Sequence, residues 1–226
     1  MNLFLFCSFL FLIMHILGKK ILFPPLETAD VNGLLAIGGD LSPERLMCAY
    51  RSGIFPWYNE GEPIIWYCPP ERMVLFPDDL KVSKSMEKVL KNPSFRISFN
   101  EHFKEVIHHC KSIDRPGQKG TWITREMQKA YIELHELGFA KSVEVWQDDR
   151  LVGGLYGIDL GHIFTGESMF SLVSNASKVA FIYLNTFLKE RNYLLLDCQV
   201  YNEHLASLGA VEIPRETYIR YLNLQK

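Results

Sequence analysis

The stretch Leu194-Leu195-Leu196-Asp197-Cys198-Gln199-Val200-Tyr201-Asn202 constrains the fold more than any other. Its leucines and valine, bounded by polar residues on both sides, predict one buried β-strand. Side chains alternate along a strand. Asp197 and Gln199 are therefore expected on the face of Leu195, with Leu196, Cys198 and Val200 on the other. A carboxylate and an amide inside so apolar a run cost several kcal/mol unless something satisfies them. The strand alone leaves two readings open. Asp197 is a core residue bonded to backbone or to a buried arginine, or the two polar groups are a general base and a positioner on the floor of a cleft.

The chain around this strand reads as α/β (α+β). Ser42-Pro43-Glu44 predicts a helix start, with Ser as N-cap and Pro at the first helical position; the helix runs to Ser52 and stops at Gly53. An aromatic loop, Ile54 to Tyr58, and a short strand, Pro63 to Tyr67, follow. Pro69-Pro70 marks a domain boundary. Residues 1–17 are expected to be an apolar extension, 18–70 a small N-terminal domain and 71–226 the main domain. In the main domain, Met73–Phe76 predicts a strand and Ser83 caps a helix to Lys91. Phe95–Phe99 is a strand, and Asn100 is expected to cap a helix with Phe103, Val106, Ile107 and Cys110 inward. A loop spans 114–120. Thr124 then caps a helix with Met127, Ala130, Tyr131 and Leu134 inward, ending at Gly138. Strands near 142–147, 151–158 and 162–170 are joined by tight polar turns and predict an antiparallel meander. A helix over 175–190, the 194–200 strand and a last helix after Pro214 complete the chain. This order is that of a GNAT-like acyltransferase domain with a mixed, largely antiparallel sheet. A likeness of fold does not by itself give function.

Composition excludes some function classes. The 226 residues carry a formal charge of only −2, so a polyanionic partner is neither required nor forbidden by net charge. The five cysteines are scattered with no C-x-x-C pair, which predicts a reducing compartment and no structural zinc. His108-His109-Cys110 sits on a predicted helix, where neighbours point apart, and His135-Glu136 lacks the second histidine of H-E-x-x-H. The apolar run Leu3–Leu17 is short beside the ~20 residues of a spanning helix. It also lacks the basic region and small-residue cleavage site of a signal peptide. Three readings remain: a weak membrane tether, a disordered or helical extension, or, the favoured one, an upstream start misassigned ahead of a cytosolic protein beginning at Met14.

Several constellations remain. In His162–Phe170, Glu167 and Met169 are expected to share the face of Thr165. That arrangement suits either a pocket with an apolar slot and a polar anchor, or an edge-strand glutamate facing water. Gly153-Gly154-Leu155-Tyr156-Gly157 opens no helix and fails as a nucleotide loop, but suits a bulge beside a site. Ser171–Asn175 lacks the glycines that would cradle a coenzyme A pyrophosphate, which disfavours acetyl-CoA. Lys81, Lys84, Lys88 and Lys91 recur at spacings of three and four. The segment from Lys81 to Lys129, which includes Arg115 and Lys119, holds eleven basic and five acidic residues. Such asymmetry suits either a nucleic-acid footprint or a solvated helix face. Tyr50, Trp57, Tyr58 and Trp122 could stack on a base or line a ligand slot, whereas Trp66 reads as domain packing.

Seven runs together resemble one family: Asn32–Ser42, Gly53–Trp57, Gly120–Thr124, His135–Gly138, Ser142–Trp146, Gly166–Ser171 and Asp197–Val200. They are similar to the bacterial leucyl/phenylalanyl-tRNA–protein transferases, in unbroken order over roughly residues 23–223. The resemblance implies transfer of Leu or Phe from aminoacyl-tRNA to the α-amine of proteins beginning with Arg or Lys. The product would enter the N-degron route of protein degradation. It implies Asp197 and Gln199 as the catalytic pair, with Glu167 and Asn202 nearby. It also implies that Tyr50, Trp57, Trp122, Leu155 and Met169 form the pocket and stacking wall for the aminoacyl-adenosine end. With a tRNA as partner, the basic row Lys81, Lys84, Lys88 and Lys91 is expected to meet its backbone. Position 155 is Leu where relatives can carry Met. Aminolysis of an ester requires no ATP, cofactor or metal. The expected protein is a cytoplasmic monomer without membrane association. A coenzyme A-dependent N-acetyltransferase and a non-catalytic RNA-binding module are the alternatives.

Overall fold

The computed structural model describes residues 15–91, 94–113 and 121–224. Residues 1–13 and Met14, and with them most of the expected apolar extension, lie outside the described residues, as do Arg115, Lys119 and the rest of the 114–120 loop.

A four-stranded sheet forms the N-terminal part, in the order β1 (His15–Leu17), β2 (Leu34–Gly38), β4 (Ile65–Tyr67), β3 (Phe55–Pro56). The first two strands pair in parallel and the others antiparallel. The short first strand thus ties the end of the apolar stretch into the fold. Helix α1 (Pro43–Arg51) begins as its sequence predicts, with the Ser42 hydroxyl accepting from the Arg45 N–H. Gly53, at φ +77°, turns the chain away; a Cβ there would also meet Ile219 Cδ1 at 2.6 Å. Trp66 is fully buried, its indole N–H donating to the Gly38 carbonyl at 2.9 Å.

The larger sheet has seven strands: β11 (Val211–Pro214), β5 (Glu71–Leu75), β10 (Leu195–Gln199), β9 (Ile163–Ser171), β8 (Arg150–Asp159), β7 (Ala140–Gln147) and β6 (Phe95–Phe99). Only the β10–β9 pair is parallel among these, so the sheet is mixed and largely antiparallel. Helices α3 (Phe103–Ser112) and α4 (Arg125–Glu136) bury Phe103, Val106, Ile107, Cys110, Met127, Ala130, Tyr131 and Leu134 in a core shared with the N-terminal part. Helix α5 (Ala176–Glu190) packs in a second core with Leu155, Phe164 and Leu196. Tyr218 and Leu222 of α7 (Arg215–Leu222) form a third with Val74, Ile163 and Leu195. Two short helices, α2 (Lys84–Leu90) and α6 (Glu203–Ser207), complete the chain.

One capping expectation fails. His102, not Asn100, is the N-cap position of α3, and it makes no side-chain cap bond. Asn100 adopts φ +60° and its Oδ1 instead accepts from the Ser142 N–H at 2.9 Å, tying the helix entry to β7.

Candidate active site

A cleft of about 970 Å³ opens where β9 and β10 run side by side, between the N-terminal part and the α5 side of the large sheet. Both strands are irregular there. Along β9, Gly166 pairs with Gly157 and Ser168 with Tyr156, so Glu167 is the extra residue of a bulge. Along β10, Asp197 pairs with Val74 and Gln199 with Met73, which leaves Cys198 extra. A bulge bends its strand and re-aims side chains. Two bulges on neighbouring strands bring Glu167 and Gln199 together: the Gln199 amide donates from Nε2 to Glu167 Oε1 at 2.8 Å.

The expected alternation holds on β10 from Leu195 to Cys198 and is broken by the bulge before Gln199. Leu195 and Asp197 face the Tyr218 side, while Leu196 and Cys198 pack into the α5 core. On β9 it does not. Glu167 bonds Tyr131 of α4, whereas Met169 packs with the α5 core, so the two do not share a face. The bulge at Glu167 is the physical reason. It also places one polar anchor and one apolar wall on the same cleft, since both residues line it.

Asp197 is completely buried and fully engaged. Its Oδ1 accepts from Arg72 Nε at 2.8 Å and from the Gln199 backbone N–H at 2.8 Å. Its Oδ2 accepts from Arg72 Nη2 at 2.7 Å and from the Tyr218 hydroxyl at 2.9 Å. The Arg72 guanidinium lies 4.7 Å from the Phe55 ring and 4.6 Å from the Tyr218 ring, and its Nη1 donates to the Gly53 carbonyl at 3.3 Å. Burial opposes the charge on Arg72, but Asp197 more than offsets it and holds the guanidinium protonated. Such a bidentate pair is both strong and directional. Both structural partners left open by the sequence, a buried arginine and the backbone, are therefore present. What Asp197 fixes is the next polar residue. Gln199 sits at φ +65°, unusual for a residue with a side chain, and the bond from its N–H to Asp197 holds it there. Asp197 thereby holds the Gln199 backbone in place.

Glu167 forms the other half of the floor. Its Oε2 accepts from the Tyr131 hydroxyl at 2.9 Å, and Tyr131 in turn bonds the Tyr50 hydroxyl. Burial raises the Glu167 pKa to about 7, against the opposing pull of the Tyr50 and Tyr131 hydroxyls. Glu167 is thus poised between charged and neutral near physiological pH, a feature of functional carboxylates. With Gln199 Nε2 given to Glu167, Gln199 Oε1 is the acceptor left for a ligand N–H. Burial, with Asp197 adjacent, pushes the Cys198 thiol well up, so it is no nucleophile at neutral pH.

The walls follow the sequence expectation in part. Trp57, Trp122, Leu155, Met169 and Asn202 line the cleft. Tyr50 is one layer behind it, buried, and bonds Tyr131 while its hydroxyl also acts on Glu167. Asn202 stands at the rim, where its Oδ1 accepts from the Leu205 N–H as N-cap of α6. Leu155, Met169 and Phe181 form an apolar side slot. Lys81, Lys84, Lys88 and Lys91 are all exposed, away from the cleft lining. Sequence reasoning missed Arg72 and Tyr218, and read Tyr131 only as an inward helix residue. The signal for Arg72 was present: an arginine inside Glu71-Arg72-Met73-Val74-Leu75 needs an anion as much as Asp197 needs a cation.

The chain is similar to proteins of one family. The model of the leucyl/phenylalanyl-tRNA protein transferase family matches residues 74–223, and that of its N-terminal domain matches residues 39–70. A leucyl/phenylalanyl-tRNA–protein transferase of Flavobacterium johnsoniae is 64% identical over 209 residues, covering 92% of this chain and 99% of the relative. One from Syntrophus aciditrophicus is 59% identical over 202 residues, covering 89% and 84%. Among solved structures, FemX superposes with a TM-score of 0.51 at 9% identity, over 76% of this chain and 66% of that one, a likeness of fold that fits the expected GNAT-like domain. By these matches the chain belongs to the leucyl/phenylalanyl-tRNA protein transferase family.

Proposed function

We propose that the cleft transfers Leu or Phe from the 3′ end of an aminoacyl-tRNA to the α-amino group of proteins beginning with Arg or Lys, marking them for degradation through the N-degron route. The observation that carries this reading is the Gln199–Glu167 pair on the cleft floor, locked by the saturated Asp197–Arg72 ion pair.

The reaction is aminolysis of an ester. The amine attacks the ester carbonyl, the tetrahedral intermediate expels the ribose hydroxyl, and one proton passes from nitrogen to the leaving oxygen. An α-amine has a pKa of about 7.7–8.0, so roughly a tenth is neutral near pH 7. The floor need therefore supply position more than basicity. Gln199 Oε1 accepts a hydrogen bond from the attacking amine and aims its lone pair. The charged Glu167 behind it stabilises the positive charge that grows on nitrogen. Holding amine and ester together is worth effective molarities of about 10⁵ M or more. Leu155, Met169 and Phe181 receive the apolar side chain of the donor, with Trp57 and Trp122 as walls for the adenosine. Slot size discriminates by only ~1–3 kcal/mol per methylene, which suits acceptance of more than one apolar side chain. Lys81, Lys84, Lys88 and Lys91 lie along the tRNA backbone. One chain supplies floor and walls, so a monomer suffices, working in the cytoplasm where charged tRNA and new N-termini meet.

The test is transfer of radiolabelled Leu or Phe from charged tRNA to proteins differing only in their first residue, without ATP or coenzyme A. Arg and Lys acceptors should be labelled and Gly or Glu acceptors should not. Equal labelling of all four would overturn the acceptor assignment. A requirement for coenzyme A would overturn the donor.

A further inference from the structure

A second hollow, of about 350 Å³, lies between α5, α2 and the end of α6. Lys81 and Lys178 stand on its walls with Ser83, Ser85, Asn175 and Ser207, and no carboxylate lines it. Among the described residues neither lysine is in an ion pair. Two uncompensated cations beside hydroxyl and amide groups make a site for an anion with several oxygens. The N-terminal end of α5, a fifteen-residue helix, adds its positive field.

The hollow adjoins the active-site cleft. Ser177 lines the cleft and Lys178 lines the hollow; likewise His204 lines the cleft and Ser207 the hollow. Burial and then the charge of Lys178 lower the His204 pKa, so the two groups are within electrostatic reach across the saddle. A strand whose terminal nucleoside occupies the cleft meets this groove next. Ser85, Met86 and Val89 of α2 face the hollow. At about 100° per residue, Lys84 and Lys91 are turned to the far side of that helix and Lys88 to its flank. Of the four lysines in the basic row, Lys81 alone reaches the groove.

We infer that this hollow is a subsite for the backbone phosphates of the single-stranded 3′ end of the tRNA, with Lys178 and Lys81 as its cationic walls. The RNA would then enter over the saddle between α5 and α6. This inference rests on the proposed tRNA-dependent transfer.

The experiment compares wild type, Lys178→Gln, the Lys81→Gln/Lys178→Gln double variant and Lys189→Gln, a control whose ammonium is paired with Asp78 on the surface. Each is assayed with charged tRNA and with 3′-O-aminoacyl-adenosine, which has no phosphate, over a range of salt. Lys178→Gln should raise KM for charged tRNA about fivefold and flatten its log–log salt slope by ~0.7, the single-strand value for one lost phosphate contact. The double variant should do both to a greater extent. KM for the adenosine ester should move less than twofold, and Lys189→Gln should change neither. Unchanged tRNA KM and slope in the double variant would overturn the subsite, as would equal losses with both donors. Wild type that transfers from neither donor would overturn the functional reading, and the subsite with it.

Discussion

At the scale of single residues, the site rests on two carboxylates in opposite circumstances. Asp197 is buried with a full set of partners, and Glu167 is buried with two neutral ones. Asp197→Asn removes the countercharge of Arg72 while nearly preserving shape. It should cost about 3–5 kcal/mol in urea unfolding, the range for breaking a buried pair. Loss of less than 1 kcal/mol would mean the pair is solvated in solution. For Glu167 the sign is opposite. Its folded pKa of about 7 exceeds the ordinary 4.5, so folding favours the protonated form. That stabilisation is complete below pH 4.5 and is lost as pH rises through 7; the shift corresponds to about 3 kcal/mol. Glu167→Gln, permanently neutral, should therefore melt higher than wild type above pH 7, with the gap closing towards pH 4.5. Activity should run the other way, rising in wild type as Glu167 ionises near pH 7 and staying low in the variant. A melting difference independent of pH between 4.5 and 8 would contradict this.

At the scale of elements, bulges and turns decide where these groups point. The order of elements was legible because it depends on period and punctuation. Thr124 caps α4 and Ser42 caps α1 as their sequences require, and the turns at Asp148 and Asp159 close the meander. Strand β10 was legible for the same reason. What the sequence did not disclose was the extra residue at Glu167 and at Cys198, because a bulge changes pairing with a neighbour rather than the pattern of the strand itself. Strands β2 and β11 were also missed. The first lies in a glycine-rich segment, and the second is four largely exposed residues ending in proline at the sheet edge. Gly53 joins elements distant in sequence: its φ of +77° lets its carbonyl reach Arg72, and its Hα side abuts Ile219. Gly53→Ala should destabilise by ~1–3 kcal/mol in chemical denaturation through the strained backbone conformation alone. An unchanged midpoint would show that the backbone at position 53 relaxes without strain.

At the scale of the whole molecule, a nearly neutral chain carries its charge unevenly. The basic stretch from Lys81 to Lys129 is offset by acidic residues elsewhere. That asymmetry was readable from the sequence, whereas the position of Lys178 beside Lys81 was not, because residues nearly a hundred positions apart meet only through α5 and the α2 entrance. Replacing Lys84 and Lys88 together by Gln should weaken binding of different tRNAs alike and reduce the salt slope, by up to ~2 if both meet duplex phosphates. Selective loss for one tRNA would instead indicate base contacts. The central claim is that the bulged floor acts on the amine through Gln199. Single-turnover transfer from charged Leu-tRNA to an N-terminal-Arg protein, in wild type and Gln199→Ala, tests it most directly. The chemical step in Gln199→Ala should be slowed ~10²-fold or more, with tRNA affinity unchanged. A loss appearing wholly in tRNA affinity, with the chemical step intact, would contradict it.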